Sequence, residues 1–531
     1  MPLRVSNLRV PPEFDEAELP QRALSLLGLP RDQLARWRIL RKSLDLRDKS
    51  RIEFVYTLEL DVRDLPRRPL AARGLRVEPY TEPPFALPSP GSLPLTHPPV
   101  IVGSGPAGLF AAYFLAQQGY QPLVLERGRS VRDRIRDVRA FDAGGPLDPE
   151  SNYLFGEGGA GTFSDGKLTC RASGPELRRV LEIFAACKGK PSLVYEYRPH
   201  LGSNRLPAVV KALRQRIEAW GGRFRFCCRM EHLDLAAGRV RGVGTSSGYL
   251  PAEVVVLAIG HSARDTYAML FRQGLAMVPK PFQFGLRIEQ SQEQVNRVQY
   301  GDSELARRLG AADYALVYRG ETRVFTFCMC AGGQVIPSVS EPGYFSTNGM
   351  SLSRRASPFA NSGIMVTLEP SQFPSDHPLA GMEWQRLFEG RAAALSGEAY
   401  RCPIQWAADY VSGRTTSGPF PTSYRRGVVA ADVAELVPPA VAQAIRQALL
   451  GFDRRWRGQF LQGATLVGPE ARGSSPLRIV RDPHTLESPS AAGVYPIGEG
   501  AGYAGGIVSA ALDGLRAARA IIARYAPLAK P

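Results

Sequence analysis

The sequence predicts an α/β protein: a parallel βαβ unit at the centre, an α+β region inserted into it, and a small α/β unit in front. Three observations predict this. Residues 98–128, PPVIVGSGPAGLFAAYFLAQQGYQPLVLERG, read as a buried strand, a glycine turn, an apolar helix over 105–118 and a second buried strand. AEVVVLAIG (252–260) is another short apolar strand of the kind that parallel sheets bury on both faces. The last stretch, GVYPIGEGAGYAGGIVSAALDGLRAARAIIARY (493–525), repeats the order strand, glycine turn, long helix.

Taken from the start, LRVSNLRV (3–10) alternates like a strand and AELPQRALSLLGL (17–29) has helical spacing. WRILRKSLDLR (37–47) and RIEFVYTLELDV (51–62) form a predicted hairpin, completing a βαββ unit over 1–79. Prolines crowd YTEPPFALPSPGSLPLTHPP (80–99), so a semi-rigid linker is expected over 80–97. The first part of the nucleotide-binding domain is assigned to 98–280 and its C-terminal part to 460–531. The inserted substrate or cap region, 281–459, has strand alternation in QFGLRIE, RVFTFCMC and IMVTLE and helices around 430–456.

Bulk properties bound the function. A chain of 531 residues is long enough for two or three cores, and 44% hydrophobic with 22% charged residues is ordinary for a globular protein. Seven cysteines do not make a disulfide scaffold, and no stretch has the pattern of a signal peptide or a membrane span, so a cytoplasmic protein is expected. The net charge of +16 is spread without a basic tail or a basic-aromatic stripe, which argues against a dedicated nucleic-acid role and suits a small, anionic substrate better. Oligomeric state is not legible.

The glycine turn Gly103-Ser104-Gly105-Pro106-Ala107-Gly108 follows a strand and opens a helix, and Glu126 ends the next strand with Arg127 beside it. In this Rossmann-like context Gly103 permits the tight turn, Gly105 lets a pyrophosphate approach the backbone, and Gly108 lets helix and strand pack closely. The helix start offers free N–H groups to phosphates, and Glu126 is expected to accept from ribose hydroxyls. The second turn, Gly498, Glu499, Gly505 and Gly506 before Ile507, aims another helix start at the same ligand, with Glu499 on a ribityl hydroxyl. The run FGEGGAGTFSDGKL (155–168) has five glycines in fourteen residues. Its Gly158, Gly159, Ala160, Gly161, Thr162, Ser164 and Asp165 are read as backbone pressed against an extended cofactor, FAD. Lys167 is then a candidate partner for the flavin N5 or a substrate anion. With no second GxGxxG unit, NAD(P)H is expected only as a transient electron donor.

These segments, with RKSLD (41–45), PHLGSNRL (199–206), LAIGHSARDT (257–266), FCMCAGGQVIPSVSEPGYFSTNGMS (327–351), ANSGIMV (360–366) and SSPLRI (474–479), resemble a group of bacterial FAD-dependent dehydrogenases in the glutathione-reductase-like two-dinucleotide superfamily. The resemblance implies FAD binding and redox chemistry without naming a substrate. It also implies that the Met230 amide meets adenine and that Ala258, Gly260 and His261 lie where the chain crosses the cofactor. Relatives carry ETRTSSP where this chain has EARGSSP (470–476), so both threonines are missing.

The expected activity is hydride transfer between flavin N5 and a small molecule. A tRNA-modifying flavoprotein, a non-catalytic flavin-binding regulator and a reductase of prenyl C=C bonds are the alternatives. His261 is the candidate proton donor or acceptor, and His200 reads as structural. Arg264 either pairs with Asp265 or binds a substrate carboxylate, as Arg355 could. Cys328 and Cys330 share one face of a strand. An i,i+2 disulfide there is strained and the ligand count for zinc is missing, so buried packing is expected, with a redox relay as the alternative. No metal site is expected.

Overall fold

The computed structural model describes residues 2–63, 74–301 and 308–528. Residues 64–73 of the predicted N-terminal unit and 302–307 of the predicted insertion lie outside the described residues.

Four fully buried triplets and the exposed edge strand Arg223–Arg225 build the central sheet. Its five strands run in the order Val494–Pro496, Val255–Leu257, Val100–Val102, Leu123–Leu125, Arg223–Arg225, and every adjacent pair is parallel. The chain leaves Val100–Val102 toward one edge through Leu123–Leu125 and returns to the other through Val255–Leu257. That reversal opens a crevice at the carboxyl ends of the strands, where open α/β sheets bind ligands. The helix Pro106–Gln117 is apolar all round, and every residue from Ala107 to Ala116 is buried. It lies between the sheet and the C-terminal helix Ile507–Arg524. The two helices touch at Gly514, where a Cβ would stand 2.1 Å from the Ala107 carbonyl oxygen.

A second, seven-stranded sheet has the order Val317–Arg319, Arg323–Cys330, Phe359–Leu368, Phe282–Ser291, Thr465–Glu470, Cys402–Trp406, Val428–Ala430, antiparallel except for its last pair. QFGLRIE, RVFTFCMC and IMVTLE are strands as expected, and they are neighbours. The helices Ala380–Ser396 and Pro439–Arg455 cover the sheet. The chain leaves the first body near 280 and returns near 473. There Met277–Pro279 and Leu477–Ile479 pair antiparallel and form a neck.

The N-terminal unit is a four-stranded sheet, ordered Leu34–Asp45, Glu53–Val62, Pro2–Val10, Arg76–Pro79, with the helix Leu19–Leu27 packed on it. The predicted hairpin is present. Residues 80–91 hold no helix or strand. Among the described residues no helix is long and apolar enough to cross a membrane.

Candidate functional site

A cavity of about 410 Å³ opens at the carboxyl ends of the parallel strands and runs to the second sheet. Val102, Leu125, Ala258 and Ile497 mark the strand ends on its wall, and Phe327, Cys328, Asn348 and Glu470 come from the other body. Two helices begin at it, through Gly105-Pro106-Ala107 and Gly505-Gly506-Ile507. First-turn amides have no partner within their own helix, so both helix starts present N–H groups and a positive dipole end.

Of the residues expected to hold a cofactor, Gly103, Gly105, Pro106, Ala107, Glu126, Arg127, Gly159, Ala160, Gly161, Ser164, Asp165, Met230, Ala258, Gly260, Gly498, Glu499, Gly505, Gly506 and Ile507 line this cavity. Gly108, Gly158 and Thr162 do not, and each has a packing reason. A Cβ on Gly108 would come 1.9 Å from the Gly103 carbonyl oxygen, and one on Gly158 would overlap Thr162 and Val210. Thr162 turns its hydroxyl inward and donates to the Glu157 carbonyl at 3.1 Å.

The glycine-rich run therefore curls around protein as much as it faces a ligand. At its centre is Arg134, fully buried on the helix Val131–Asp142. Its guanidinium donates to the carbonyls of Asn152, Tyr153, Gly156, Glu157 and Gly159 at 2.8–3.2 Å. Gly156 has φ +112°, and a Cβ there would lie 2.4 Å from Arg134 Cδ. Sequence reasoning missed Arg134, since one arginine among six in 127–139 carries no local sign that it is the one turned inward.

Glu126 is occupied differently from the expectation of ribose contacts alone. Oε2 accepts from Ser104 N at 3.1 Å and Ser104 Oγ at 2.6 Å, and Oε1 accepts from Gly128 N at 2.9 Å and Gly156 N at 3.1 Å. Four donors fill the carboxylate's lone-pair sites, so Glu126 ties three loops of the cavity wall together. Arg127 lies over the Phe155 ring and bridges Glu150 and Asp265.

Arg264 does not reach the cavity. It is 3% exposed and donates to both oxygens of Glu389 at 2.7 and 2.8 Å, and Arg472 holds the same carboxylate at 2.9 and 3.0 Å. The expected pairing with Asp265 is replaced as well, because Asp265 belongs to Arg127. Glu389 is 125 residues away in sequence. Burial would push its carboxyl up, but Arg264 and Arg472 outweigh that and hold it below the usual range.

His261 stands on the cavity wall with Nε2 buried and unpartnered and Nδ1 3.8 Å from Glu499 Oε1. Burial, then the charges of Arg472 and Arg264, push the imidazole down to about 4. Burial pushes the Glu499 carboxyl up to about 7 against the opposing charge of Lys280. Both groups are thus uncharged between those values.

Lys167 lines the cavity, with Nζ 2.5 Å from Asp165 Oδ2 and donating to the Met329 carbonyl. Asp165 is buried and accepts from Ser351 Oγ. His200 Nε2 lies 3.0 Å from Ser351 Oγ and 3.4 Å from Asp165, and Arg355 Nη2 is 3.9 Å from that carboxylate. Burial would raise Asp165, but Lys167, His200 and Arg355 overcome it and hold the carboxyl well below its ordinary value. Burial lowers His200, only partly offset by Asp165. His200, read from sequence as structural, is part of a cluster joined to the cavity.

The missing threonines leave close packing. Ala471 is buried, and a Cβ on Gly473 would come within 3.0 Å of Met365 and Gln283. Glu470, next to them, is held by Arg287 at 2.5 and 2.6 Å.

The cavity fits an elongated dinucleotide. A Cβ on Gly260 or Gly505 would meet nothing within 4 Å, so both glycines offer bare backbone to the space. The orphaned His261 Nε2 offers a polar atom with no protein partner.

The model described as "FAD-dependent protein, C-terminal domain-like" matches residues 281–473, an NAD(P)-binding Rossmann-like domain matches 101–160, and a domain of unknown function matches 2–61. An uncharacterized protein of Clostridium beijerinckii is 37% identical over 534 residues, covering 99% of each chain. Among solved structures, glycine oxidase from Bacillus cereus is 12% identical with a TM-score of 0.34 over 80% of this chain and 95% of that one. A geranylgeranyl bacteriochlorophyll reductase-like protein from Thermoplasma acidophilum is 14% identical with a TM-score of 0.34, covering 81% and 78%. Likenesses at these scores say nothing about substrate.

Proposed function

We propose that this chain, which belongs to one family with the Clostridium protein and matches FAD-dependent and NAD(P)-binding Rossmann-like models, moves hydride between FAD and a small molecule at the end of the cavity where Lys167 and His261 stand. FAD is the cofactor. The residues suited to hold it are the 103–107 turn, Arg127, Met230, Ala258, Gly260 and the 498–507 turn. Bound FAD supplies two-electron transfer at its N5.

The single observation that carries the reading is the buried cluster Lys167–Asp165–Ser351–His200 at the cavity wall. A hydride transfer must be matched by a proton, and this cluster keeps one on Lys167 at the cavity, with Asp165 holding the ammonium and Ser351 and His200 fixing Asp165. Lys167 and Arg355 set two cations against the one Asp165 carboxylate. That excess suits a substrate with an anionic group. His261, neutral above about pH 4 and uncommitted at Nε2, can orient substrate or cofactor by a hydrogen bond without adding charge.

An anaerobic visible spectrum tests the reading. Bleaching of a bound flavin band by NADH or NADPH makes the protein a nicotinamide-driven reductase. A band that persists with both directs the search to anionic donors. Protein that neither carries nor takes up FAD overturns the reading.

A further inference from the structure

The strand Arg323–Cys330 contains a local distortion that the cavity chemistry above does not use. It pairs regularly with Phe359–Leu368 from Val324↔Val366 to Phe327↔Gly363 and resumes at Cys330↔Asn361. Three steps on one strand thus oppose two on the other, which is a β-bulge. The bulge is made by Cys328, at φ +44°. A non-glycine residue in the left-handed region is strained, and such strain concentrates where a side chain must be re-aimed.

The re-aiming has two results. Cys328 lines the cavity. Cys330 stays buried behind it, its thiol donating to the Cys328 carbonyl oxygen at 3.2 Å. A regular strand would space i and i+2 by roughly 6.6–6.8 Å along its axis, and the bulge instead folds the Cys330 thiol back onto the Cys328 carbonyl. Lys167 donates to the carbonyl of Met329, between the two cysteines, and Arg287 lies 3.5 Å from the Cys328 carbonyl. The hydrogen bond from Cys330 lowers the Cys328 thiol, burial opposes it, and Lys167 lowers it further, to about 6, while Cys330 is raised well above its ordinary value. One sulfur is then a thiolate and its neighbour a thiol.

We infer that Cys328 and Cys330 are a redox-active dithiol that exchanges two electrons with the cofactor of this cavity. The electron acceptor rests on the FAD reading above, while the couple itself rests on the bulge and the lysine. In the forward direction the Cys328 thiolate and the Cys330 thiol form one Sγ–Sγ bond. The Cys330 proton and both electrons pass to oxidised flavin, so charge and atoms balance without another reactant. In reverse, two electrons and a proton from reduced flavin open the disulfide.

The test uses the full-length holoprotein. It is oxidised with diamide or reduced with dithiothreitol, blocked with N-ethylmaleimide under anaerobic conditions, and mapped by peptide mass spectrometry. The expected result is a 328–330 peptide two hydrogens lighter and unlabelled after oxidation, and doubly labelled after reduction. Anaerobic dithionite titration should take four electrons per flavin in the wild type and two in Cys330→Ser. Labelling of both cysteines after oxidation, or two electrons in both proteins, overturns the inference. The mass readout needs neither the variant nor bound flavin. A disulfide here in protein that takes up no FAD would keep the couple and remove its acceptor, so failure of the couple and failure of the FAD reading are separable.

Discussion

Replacing Glu126 by glutamine tests whether one carboxylate organises the cavity wall. The side chain keeps its shape and loses its charge, and one oxygen becomes an NH2. With the amide oxygen toward Gly128 N and Gly156 N, those two bonds survive to a neutral acceptor. The NH2 then faces Ser104, whose hydroxyl can turn to accept, but whose backbone N–H is left buried without an acceptor. An unsatisfied buried donor costs roughly 1–3 kcal/mol, and exchanging a charged for a neutral acceptor costs about 1 kcal/mol per bond. The sum is about 3–5 kcal/mol, shared among the loops at 103–108, 126–130 and 155–168. Amide hydrogen exchange reads it directly. Protection at Ser104, Gly128 and Gly156 should fall by roughly a hundredfold or more, since about 1.4 kcal/mol is a factor of ten, and FAD should bind more weakly. Protection within threefold of wild type at all three amides would refute the assignment, whatever happened to FAD affinity.

Three further outcomes follow from the same structure. Lys167→Gln should move the pH midpoint of Cys328 alkylation from about 6 toward the ordinary thiol value of roughly 8.5, because a facing cation is lost; an unmoved midpoint would mean that Lys167 does not act on the thiol. Glu389→Gln leaves Arg264 and Arg472 buried with only the part-exposed Glu341, 3.3 and 3.9 Å away, as a counter-charge. Its cost should be about 3–5 kcal/mol, read from the urea midpoint and slope, and a loss under about 1 kcal/mol would contradict the shared-carboxylate picture. The third concerns pH. His261 stays neutral when folded down to about 4 but is protonated when unfolded below 6.5, so it makes stability rise with pH across that window, a contribution lost again on acidification. Glu499 keeps its proton when folded up to about 7 but has lost it when unfolded above 4.5, so it makes stability fall as pH rises over nearly the same window. The two slopes oppose each other in the wild type. His261→Gln should unmask the falling one between about pH 4.5 and 7 in urea titrations, and parallel profiles for the two proteins would exclude it.

The parts of this fold legible in the sequence are those whose signal is local. The βαβ unit at 98–128 announces itself through glycine spacing, and the 34–62 hairpin through alternation. The glycine run at 155–168 was legible as constrained backbone, but not the cause of the constraint. Gly156 and Gly158 are small because Arg134, Thr162 and Val210 fill the space beside them, and those contacts come from tertiary packing. Arg264 looked free for a substrate because its partner sits on a helix far along the chain. Cys328 looked like one of two alternating packing residues, since nothing in RVFTFCMC marks where the partner strand will force a bulge. His200 carried no local sign that Asp165 and Ser351 would meet it. The candidate ligand wall was thus readable where backbone conformation sets it, and unreadable where charge partners converge from distant segments.

Arg134 and its five carbonyl oxygens resemble an ion-binding loop more than an ordinary side-chain contact. Loops of this kind elsewhere wrap a diffusible cation, and their shape then depends on its supply. Here the cation is covalently leashed to a helix. It cannot dissociate, be chelated away or be exchanged for a competitor. The loop that carries Asp165 and Lys167 toward the cavity is consequently shaped before any ligand arrives. The ordering cost that a flexible loop would charge against cofactor affinity is met once, when the chain folds.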